Sequence, residues 1–461
     1  MNLKKIHSVY FIGIGGIGMS ALARWFNANG YFVAGYDKTP TPLTQELELE
    51  GIAVHFEDSV DAIPEKIKHN ASESLIVYTP AIPKDHKEYN FLLESGFQIM
   101  KRSQVLGELT KSHFTIAVAG THGKTTTSSI IAHILKSSGK NCTAFVGGIM
   151  TNYNSNLIIG TDAPDCVMVV EADEYDRSFL TLHPDIAVIT AVDADHLDIY
   201  GSADSLKDTF KDFINNIKKD GKLFIEERAA AKVNIQDFKN VSVQTYGLKG
   251  GNVQANNVTV HNGIFHFEYS KNDFSIKDLK LSLPGFHNVE NSLAAISACL
   301  AVEIEGKAIQ TGIEKYQGVK RRFEYIIKSD DLIFIDDYAH HPEEITALLK
   351  SVKALYPKKI TTAIFQPHLY TRTRDFADEF GKSLGLADRV ILLDIYPARE
   401  LPISGVTSEM LLEKTEGNEK FICSKEELIE NLQNSKLEVL LTVGAGDIDA
   451  LVQPIKTALT S

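Results

Sequence analysis

Short apolar runs alternate along the chain with stretches whose apolar residues recur every three to four positions. The run at 7–14 reads as a strand, and IGMSALARWFNA (17–28) as a helix with one apolar face. YFVAGYDK (31–38) is the next strand and ends at Asp37. SLIVYTPAI (74–82) and GFQIMKR (96–102) follow, which completes a first α/β unit. A second unit opens at HFTIAVAG (113–120) and passes through a glycine turn into a helix near 124–137. The apolar strands DCVMVVEAD (165–173) and PDIAVITAVD (184–193) carry polar residues at their C-terminal ends, where ligands sit in open α/β sheets.

The pattern changes over 222–283, where KLFIEE, VSVQTYGL, NVTVHNGIFHFEYS and DLKLSLPG predict short antiparallel strands with Asn-Gly turns. A helix with an Ala-rich face follows over 288–303. Beyond a break near YQGVKRRFEYI (316–326), four apolar runs end in polar or glycine residues: DLIFIDDYAHHPEE, KKITTAIFQPH, RVILLDIYP and LEVLLTVGAGD. With helices at 342–355, 375–385 and 448–458 they form a third α/β unit. The expected domains are 1–108, 109–319 and 320–461.

Length and composition agree with this division. A chain of 461 residues exceeds what one core normally serves, and 44% hydrophobic residues supply several. No run is long enough to span a bilayer as a helix, and MNLKKIHSVYFIG lacks the apolar stretch of a signal peptide, so the cytoplasm is the expected compartment. Four scattered cysteines without a CxxC pair predict buried thiols rather than disulfides or a zinc site. A net charge of −13 argues against a nucleic-acid partner.

Candidate chemistry centres on two glycine turns. Gly13, Gly15 and Gly18 form G-x-G-x-x-G between a strand and a helix, with Asp37 at the end of the following strand placed to meet a ribose hydroxyl. The same geometry holds any pyrophosphate at a helix N-terminus. A dinucleotide, a nucleoside diphosphate and purely structural glycines therefore all remain open. The second turn, AVAGTHGKTTTSS (117–129), contains G-T-H-G-K-T at 120–125; a full-length Walker A would put glycine at Val118. Backbone amides of 121–125 can still face phosphate oxygens, with Lys124 reaching the β and γ groups and Thr125 ligating Mg²⁺. Glu171 ends a neighbouring strand and offers a hard oxygen ligand. Asp173, Glu174 and Asp176 cannot all be ligands, so some must hold basic partners or face solvent. His196, in DADHLDIYG, ends the next strand.

A dehydrogenase needs no triphosphate loop, and a P-loop motor needs no N-terminal pyrophosphate domain. An ATP-dependent ligase acting on a nucleotide-linked carboxylate needs both. ATP would convert the carboxylate to an acyl phosphate, and an amine would then displace phosphate. The third unit offers Arg321 and Arg322 at the junction, then Asp336, Asp337, His340 and His341, then His368, Tyr370, Arg372 and Arg374. Arginine suits the carboxylate of a zwitterionic amino acid.

Along essentially its whole length the sequence resembles the Mur ligase family of bacterial peptidoglycan synthesis. The matching segments are GIGGIGMSALAR (13–24), VAGTHGKTTT (118–127), EADEYDRSFL (171–180), DADHLDIYG (193–201), PGFHNVENSLAA (284–295), GVKRRFE (318–324), DDYAHHPEE (336–344), QPHLYTRTRDF (366–376) and VGAGDI (443–448). The family shares the short loop pattern seen at Val118. The resemblance implies three α/β domains: an N-terminal Rossmann-like domain for a UDP-sugar, a central P-loop ATPase-type domain with extra antiparallel strands, and a C-terminal Rossmann-like domain that closes on the amino acid. It implies ATP and Mg²⁺ as cofactors.

By position, the resemblance puts ATP on Gly120, Thr121, His122, Gly123, Lys124, Thr125 and Thr126, with His287, Asn288 and Asn291 on the adenine side and Arg322 at the domain junction. The UDP-sugar falls on Gly13, Gly15, Gly16, Ile17, Gly18 and Asp37. The metal falls on Thr125, Glu171 and His196, and the amino-acid pocket on Tyr338, His341, His368 and Arg374. Lys124, His196, Arg322 and His341 are the implied catalytic groups, and His196, His341 or a water remain open as the base that takes the amine's proton. GGIGMSALAR together with DADHLDIY favours the alanine-adding branch, with UDP-N-acetylmuramate and L-alanine as substrates, over the branch that attaches a recycled tripeptide. Lys211, near the position where some relatives carry a carbamylated lysine, is expected to be an unmodified surface residue. The sequence leaves open whether the chain forms a homodimer.

Overall fold

The computed structural model describes residues 5–80, 82–161, 163–175, 177–193, 197–261, 263–398, 400–417 and 419–460. The strands β1 (Ser8–Ile12), β2 (Phe32–Tyr36), β3 (Ala53–His55), β4 (Ser74–Tyr78) and β5 (Gln98–Lys101) form a sheet of order β3-β2-β1-β4-β5. Every pairing in it is parallel. All five residues of β1 are buried, which explains why that segment reads as an unbroken apolar run. The chain leaves β1 toward β2 and β4 toward β5, in opposite directions. A crevice therefore opens at the C-terminal ends of β1 and β4, where the first glycine turn and Thr79 lie.

A ten-stranded sheet comes next. Its members are β6 (Phe114–Ala119), β7 (Cys142–Met150), β8 (Ser155–Ile158), β9 (Val167–Glu171), β10 (Ile186–Ile189), β11 (Lys222–Glu226), β12 (Ser242–Gly247), β13 (Val253–His261), β14 (Ile264–Lys271) and β15 (Phe274–Leu281). They run in the order β15-β14-β13-β12-β11-β10-β6-β9-β7-β8. Val118 of β6 pairs with Glu171 on one side and Val188 on the other, while Phe145 pairs with Val170. This register brings the loop after β6, the carboxylate ending β9 and the turn after β10 to one edge.

The expectation of antiparallel strands throughout 222–283 needs correction. β11 and β12 pair in parallel and extend the central sheet. The helix Glu227–Val233 between them supplies the crossover that a parallel neighbour requires. Only β13, β14 and β15 form a meander; Asn272-Asp273 alone separates β14 from β15, and so short a link reverses the chain.

The chain divides into two compact units, one of Met1–Thr259, His266–Leu281 and His287–Gln317, the other of Val260–Phe265, Ser282–Phe286 and Gly318–Ser461. Within the first unit one continuous core joins Val9 and Phe11 of the first sheet to Ala117, Val170 and Ile189 of the second. Buried Arg24, on the helix Ile17–Ala28, ties the two sheets together. Its guanidinium reaches Glu46 and Glu50 at 2.9 Å and Asn156 of β8 at 3.0 Å, and Asn156 in turn donates to the Ile17 carbonyl. The start of that helix is thus held against the central sheet.

The second unit carries β16 (Glu324–Lys328), β17 (Ile333–Asp337), β18 (Thr361–Phe365), β19 (Arg389–Leu392), β20 (Glu419–Ile422) and β21 (Val439–Val443), in the order β16-β17-β21-β18-β19-β20. Only the edge strand β16 is antiparallel. Asp337, Gln366 and Gly444 come together at its C-terminal edge, with the Gly444 amide donating to the Asp337 carbonyl and the Gln366 amide to Val443. All four cysteines are buried thiols outside any disulfide, as the sequence predicts. Among the described residues no helix is long and apolar enough to cross a membrane.

The face of the first sheet away from the central domain buries a carboxyl cluster. Glu88 is fully buried, accepts from the Tyr10 hydroxyl at 2.6 Å and from the Ser59 amide at 3.1 Å, and lies 3.0 Å from His55 Nε2. Burial pushes Glu88 from 4.5 up to about 7 and pulls His55 down, so both favour their neutral forms. A raised carboxyl pKa contributes stability that is complete below pH 4.5 and is lost as pH climbs to about 7. Glu88→Gln is neutral at every pH. Its stability relative to the parent is therefore expected to improve between about pH 5 and about pH 8 by up to about 3 kcal/mol. Urea denaturation at several pH values checks this, and a difference that does not change with pH refutes it.

Candidate active site

The second glycine turn begins where β6 ends, opposite Thr190 and Ala191. The Thr121 amide donates to the Ala191 carbonyl at 3.1 Å, the Thr121 hydroxyl accepts from the Asp193 amide at 3.1 Å, and the Thr190 hydroxyl donates to the His122 carbonyl. Gly123 has φ 81°, and a Cβ there would lie 2.6 Å from Asn291 Oδ1, so glycine is required twice over. Asn291 is buried and donates to Asn288 Oδ1 at 3.2 Å, which places that pair beside the turn; His287, one residue earlier, is exposed.

The helix Lys124–Ser137 starts immediately after Gly123 with no side-chain cap and no acidic residue in its first turn. Its first intrahelical bond runs from Thr127 to Gly123, which leaves the amides of Lys124, Thr125 and Thr126 available to an anion. Lys124 Nζ lies 2.8 Å from the Gly120 carbonyl and 2.9 and 2.8 Å from the two Glu174 oxygens. Burial pulls the lysine pKa down, but Glu174, Asp173 and Glu171 outweigh it and hold the ammonium charged. Glu174 is thus one of the carboxylates that the sequence required to hold a basic partner.

Glu171 accepts from the Thr125 hydroxyl at 3.0 Å through Oε1 and from the Gly147 amide at 2.9 Å through Oε2. Burial raises its pKa, against the pull of Lys124. A hydroxyl and a half-buried carboxylate in contact, with Asp173 near them, form the hard-oxygen set that magnesium takes, so these residues fit the ion. His196 lies outside the described residues. Lys211 is on the surface, paired with Asp208 at 2.9 Å.

At the first glycine turn, the amides of Gly13 and Ile14 donate to the Tyr36 carbonyl, and Gly16 caps the helix that Ile17 begins. The first-turn amides from Ile17 onward lack a side-chain cap, again an anion cradle. Asp37 points back at the turn itself: Oδ2 accepts from the Gly15 amide at 2.7 Å and Oδ1 from Thr39 at 3.3 Å. The Arg102 guanidinium packs directly on Gly18, where any Cβ would strike it. Composition and motif reading missed Arg102. Its signal was its place at the end of the strand run GFQIMKR, a position where open sheets put ligand-binding groups.

A cavity of about 290 Å³ lies between the first glycine turn and the carboxylates at the end of β9. Its lining includes Gly16, Ile17, Gly18, Thr79 and Arg102 from the first sheet's end, and Phe145, Gly147, Glu171 and Asp173 from the second's.

In the second unit, Arg322 lies between Arg321 (φ 60°) and Phe323 (φ 51°), two non-glycine residues in the left-handed region. Asp337 imposes that turn by accepting from the Phe323 amide at 2.7 Å and from the Ala339 amide at 2.8 Å. Burial pushes Asp337 up to about 6 although Arg322 pulls it down. Arg321 is committed to Asp336 at 3.2 Å and to the Gly444 carbonyl at 2.6 Å. The Arg322 guanidinium lies over the Tyr338 ring at 5.3 Å and has no hydrogen bond or ion pair among the described residues.

A chain of rings runs from Tyr338 to His340, His368 and Tyr396, with centroids 5.3, 6.1 and 5.8 Å apart. His341 instead begins the helix Pro342–Leu355 and packs edge-on against Phe376 at 4.9 Å. Arg374 turns to its neighbour Asp375 at 2.7 Å and is half exposed, whereas the charge of Arg372 acts on His340. The structure thus links Tyr338 to His368 through His340, while His341 packs on Phe376 and Arg374 pairs with Asp375.

Comparison with known proteins agrees with this architecture. Three family models match in succession: "Mur ligase family, catalytic domain" over 8–114, "Mur ligase middle domain" over 118–299 and "Mur ligase, glutamate ligase domain" over 321–446. The UDP-N-acetylmuramate–L-alanine ligase of Cytophaga hutchinsonii is 49% identical over 457 residues, 99% of this chain and 97% of that protein. That of Flavobacterium psychrophilum is 49% identical over 459 residues, covering 100% and 99%. Among solved structures, the UDP-N-acetylmuramate–alanine ligase of Thermotoga maritima superposes with a TM-score of 0.83 at 29% identity, covering 98% of this chain and 99% of that one. A murein peptide ligase of Psychrobacter arcticus shares the fold at 24% identity, with a TM-score of 0.71 and 98% coverage of both. The protein is an ATP-dependent ligase of three α/β domains, a P-loop ATPase-type domain between two Rossmann-like ones. The chain belongs to the Mur ligase family.

Proposed function

We propose that the chain joins L-alanine to the lactyl carboxylate of UDP-N-acetylmuramate, with ATP converted to ADP and phosphate, in peptidoglycan biosynthesis. The observation that carries this reading is the cavity of about 290 Å³ bounded by the anion cradle at Ile17–Met19 on one side and by Glu171 and Asp173 on the other. A diphosphate held at the first cradle directs its sugar toward a phosphoryl group held at the second.

The carboxylate attacks the γ-phosphorus, the bond to the ADP oxygen breaks, and an acyl phosphate forms. The alanine amine then attacks the acyl carbon, loses a proton and expels phosphate. Lys124 and the amides of 124–126 hold the β and γ phosphates while charge moves onto the bridging oxygen. Asn288 and Asn291, with His287, are assigned to the adenine side. Thr125 and Glu171 would hold magnesium, which neutralises phosphate charge when bound. Arg102 supports the UDP diphosphate beside Gly15, Gly16 and Gly18. Asp337 aims Arg322, the cation assigned to the nucleotide phosphates, by fixing the turn around it. Tyr338 and His368, with His341 and Arg374, are assigned to the amino acid. Since ATP and a UDP-linked precursor are consumed, the cytoplasm is the compartment we assign.

The test is phosphate release and product analysis with UDP-N-acetylmuramate, ATP–Mg²⁺ and a panel of acceptors containing L-alanine, glycine, L-serine and L-alanyl-γ-D-glutamyl-meso-diaminopimelate. L-Alanine is expected to give the fastest release, matched mole for mole by a new amide. ATP consumption without an amide, or a preference for the tripeptide, overturns the reading.

A further inference from the structure

The reaction as read above employs Glu171 and leaves Glu174 without a role. Glu174 is 0% exposed, and both its oxygens lie on one ammonium, that of Lys124, at 2.9 and 2.8 Å. Its own backbone is anchored: the Tyr200 hydroxyl donates to the Glu174 carbonyl, and the Arg177 guanidinium lies over the Tyr200 ring at 5.2 Å. The Ser178 hydroxyl donates to the Asp173 carbonyl at 3.0 Å, which closes the same turn. The carboxylate is therefore held from outside the glycine loop and is aimed at it.

The geometry points to Glu174 as the resting counter-ion of Lys124, a positioning residue that aims the ammonium and competes with the nucleotide's β and γ phosphates for it. This inference rests on reading 120–126 as the ATP loop. A buried ammonium without a partner is strongly disfavoured, so the internal pair lets the loop keep its shape before nucleotide arrives. A triphosphate entering the cradle must share that ammonium with a fixed anion. Sharing weakens binding, because the added anion faces Glu174 across one cation. It also holds Nζ in one place while the phosphoryl group leaves, and fixed geometry favours transfer. The arrangement gives up nucleotide affinity for aim.

Glu174→Gln keeps the shape and removes the charge. Calorimetric titration of the full-length variant with ATP–Mg²⁺ is expected to show a Kd about fivefold lower than the parent's. Its kcat is expected to fall about tenfold, so that KM for ATP and kcat drop together. AMP has no β or γ phosphate, and its Kd is expected to stay within about twofold. A merely structural role would weaken every nucleotide and raise KM. ATP binding that is unchanged or weaker in Glu174→Gln overturns the inference and leaves the ATP loop intact; a parent chain that binds no ATP overturns the loop reading itself. Should Glu174→Gln fail to fold, Glu174→Asp withdraws the carboxylate from its two-point contact. ATP is then expected to bind about twofold more tightly with AMP unaltered, and no difference from the parent counts against the proposal.

Discussion

Lys124→Ala is expected to lower turnover about a thousandfold while leaving UDP-sugar affinity within about threefold of the parent. The ammonium is the one side-chain cation within hydrogen-bond reach of both the loop carbonyl of Gly120 and the Glu174 carboxylate, among the described residues. Without it, the Glu174 carboxylate loses the ammonium on which both its oxygens lie and faces the phosphates with its charge no longer offset by Lys124. The amides of Lys124, Thr125 and Thr126 persist, so nucleotide binding weakens rather than disappears. The first cradle depends on Gly15, Asp37 and Arg102, none of which touches Lys124, and it should be indifferent to the change.

Two measurements separate lost chemistry from lost folding in that variant. Taking the ammonium away from a buried carboxylate destabilises the fold, so Lys124→Ala is expected to melt at a lower temperature, and adding Glu174→Gln is expected to restore the melting temperature but not turnover. Turnover of Lys124→Ala within threefold of the parent would count decisively against the phosphate role. So would a double variant that recovers activity along with stability.

Glu171→Gln is expected to lower kcat about a hundredfold and to raise the Mg²⁺ concentration giving half-maximal rate about tenfold. The glutamine carbonyl can still accept from Gly147, and its amide can still meet Thr125, so the fold should be largely preserved. What the substitution removes is the negative charge, which burial makes costly and which Lys124, the Gly147 amide and the Thr125 hydroxyl offset in part. A Mg²⁺ titration of the steady-state rate checks this. A variant with reduced activity but an unshifted Mg²⁺ requirement assigns Glu171 to structure instead.

Much of the site was legible because its signals are local. The helix beginning at Lys124 and the one beginning at Ile17 start where the glycine turns place them, since a left-handed or closely approached residue marks its own position. Glu171 could be located from the apolar run that it ends. The strand run from Lys222 onward was less legible. Its members have the short alternating look of a meander, yet β11 and β12 pair in parallel, because the intervening Glu227–Val233 helix permits a crossover that local pattern alone does not choose. The tandem histidines show the same limit: both follow one strand, yet His340 packs between Tyr338 and His368 while His341 packs on Phe376.

Taken alone, the sequence determined the α/β class, the two glycine turns and the apolar strands that end in them, because periodicity, glycine and strand-end polarity act over a few residues. Tertiary structure decided which charges meet. Strand order and register, set by burial across the whole sheet, bring Glu174 onto Lys124, Arg102 onto Gly18 and Asp337 onto the Phe323 amide. Those partners lie too far apart in the chain for local pattern to pair them.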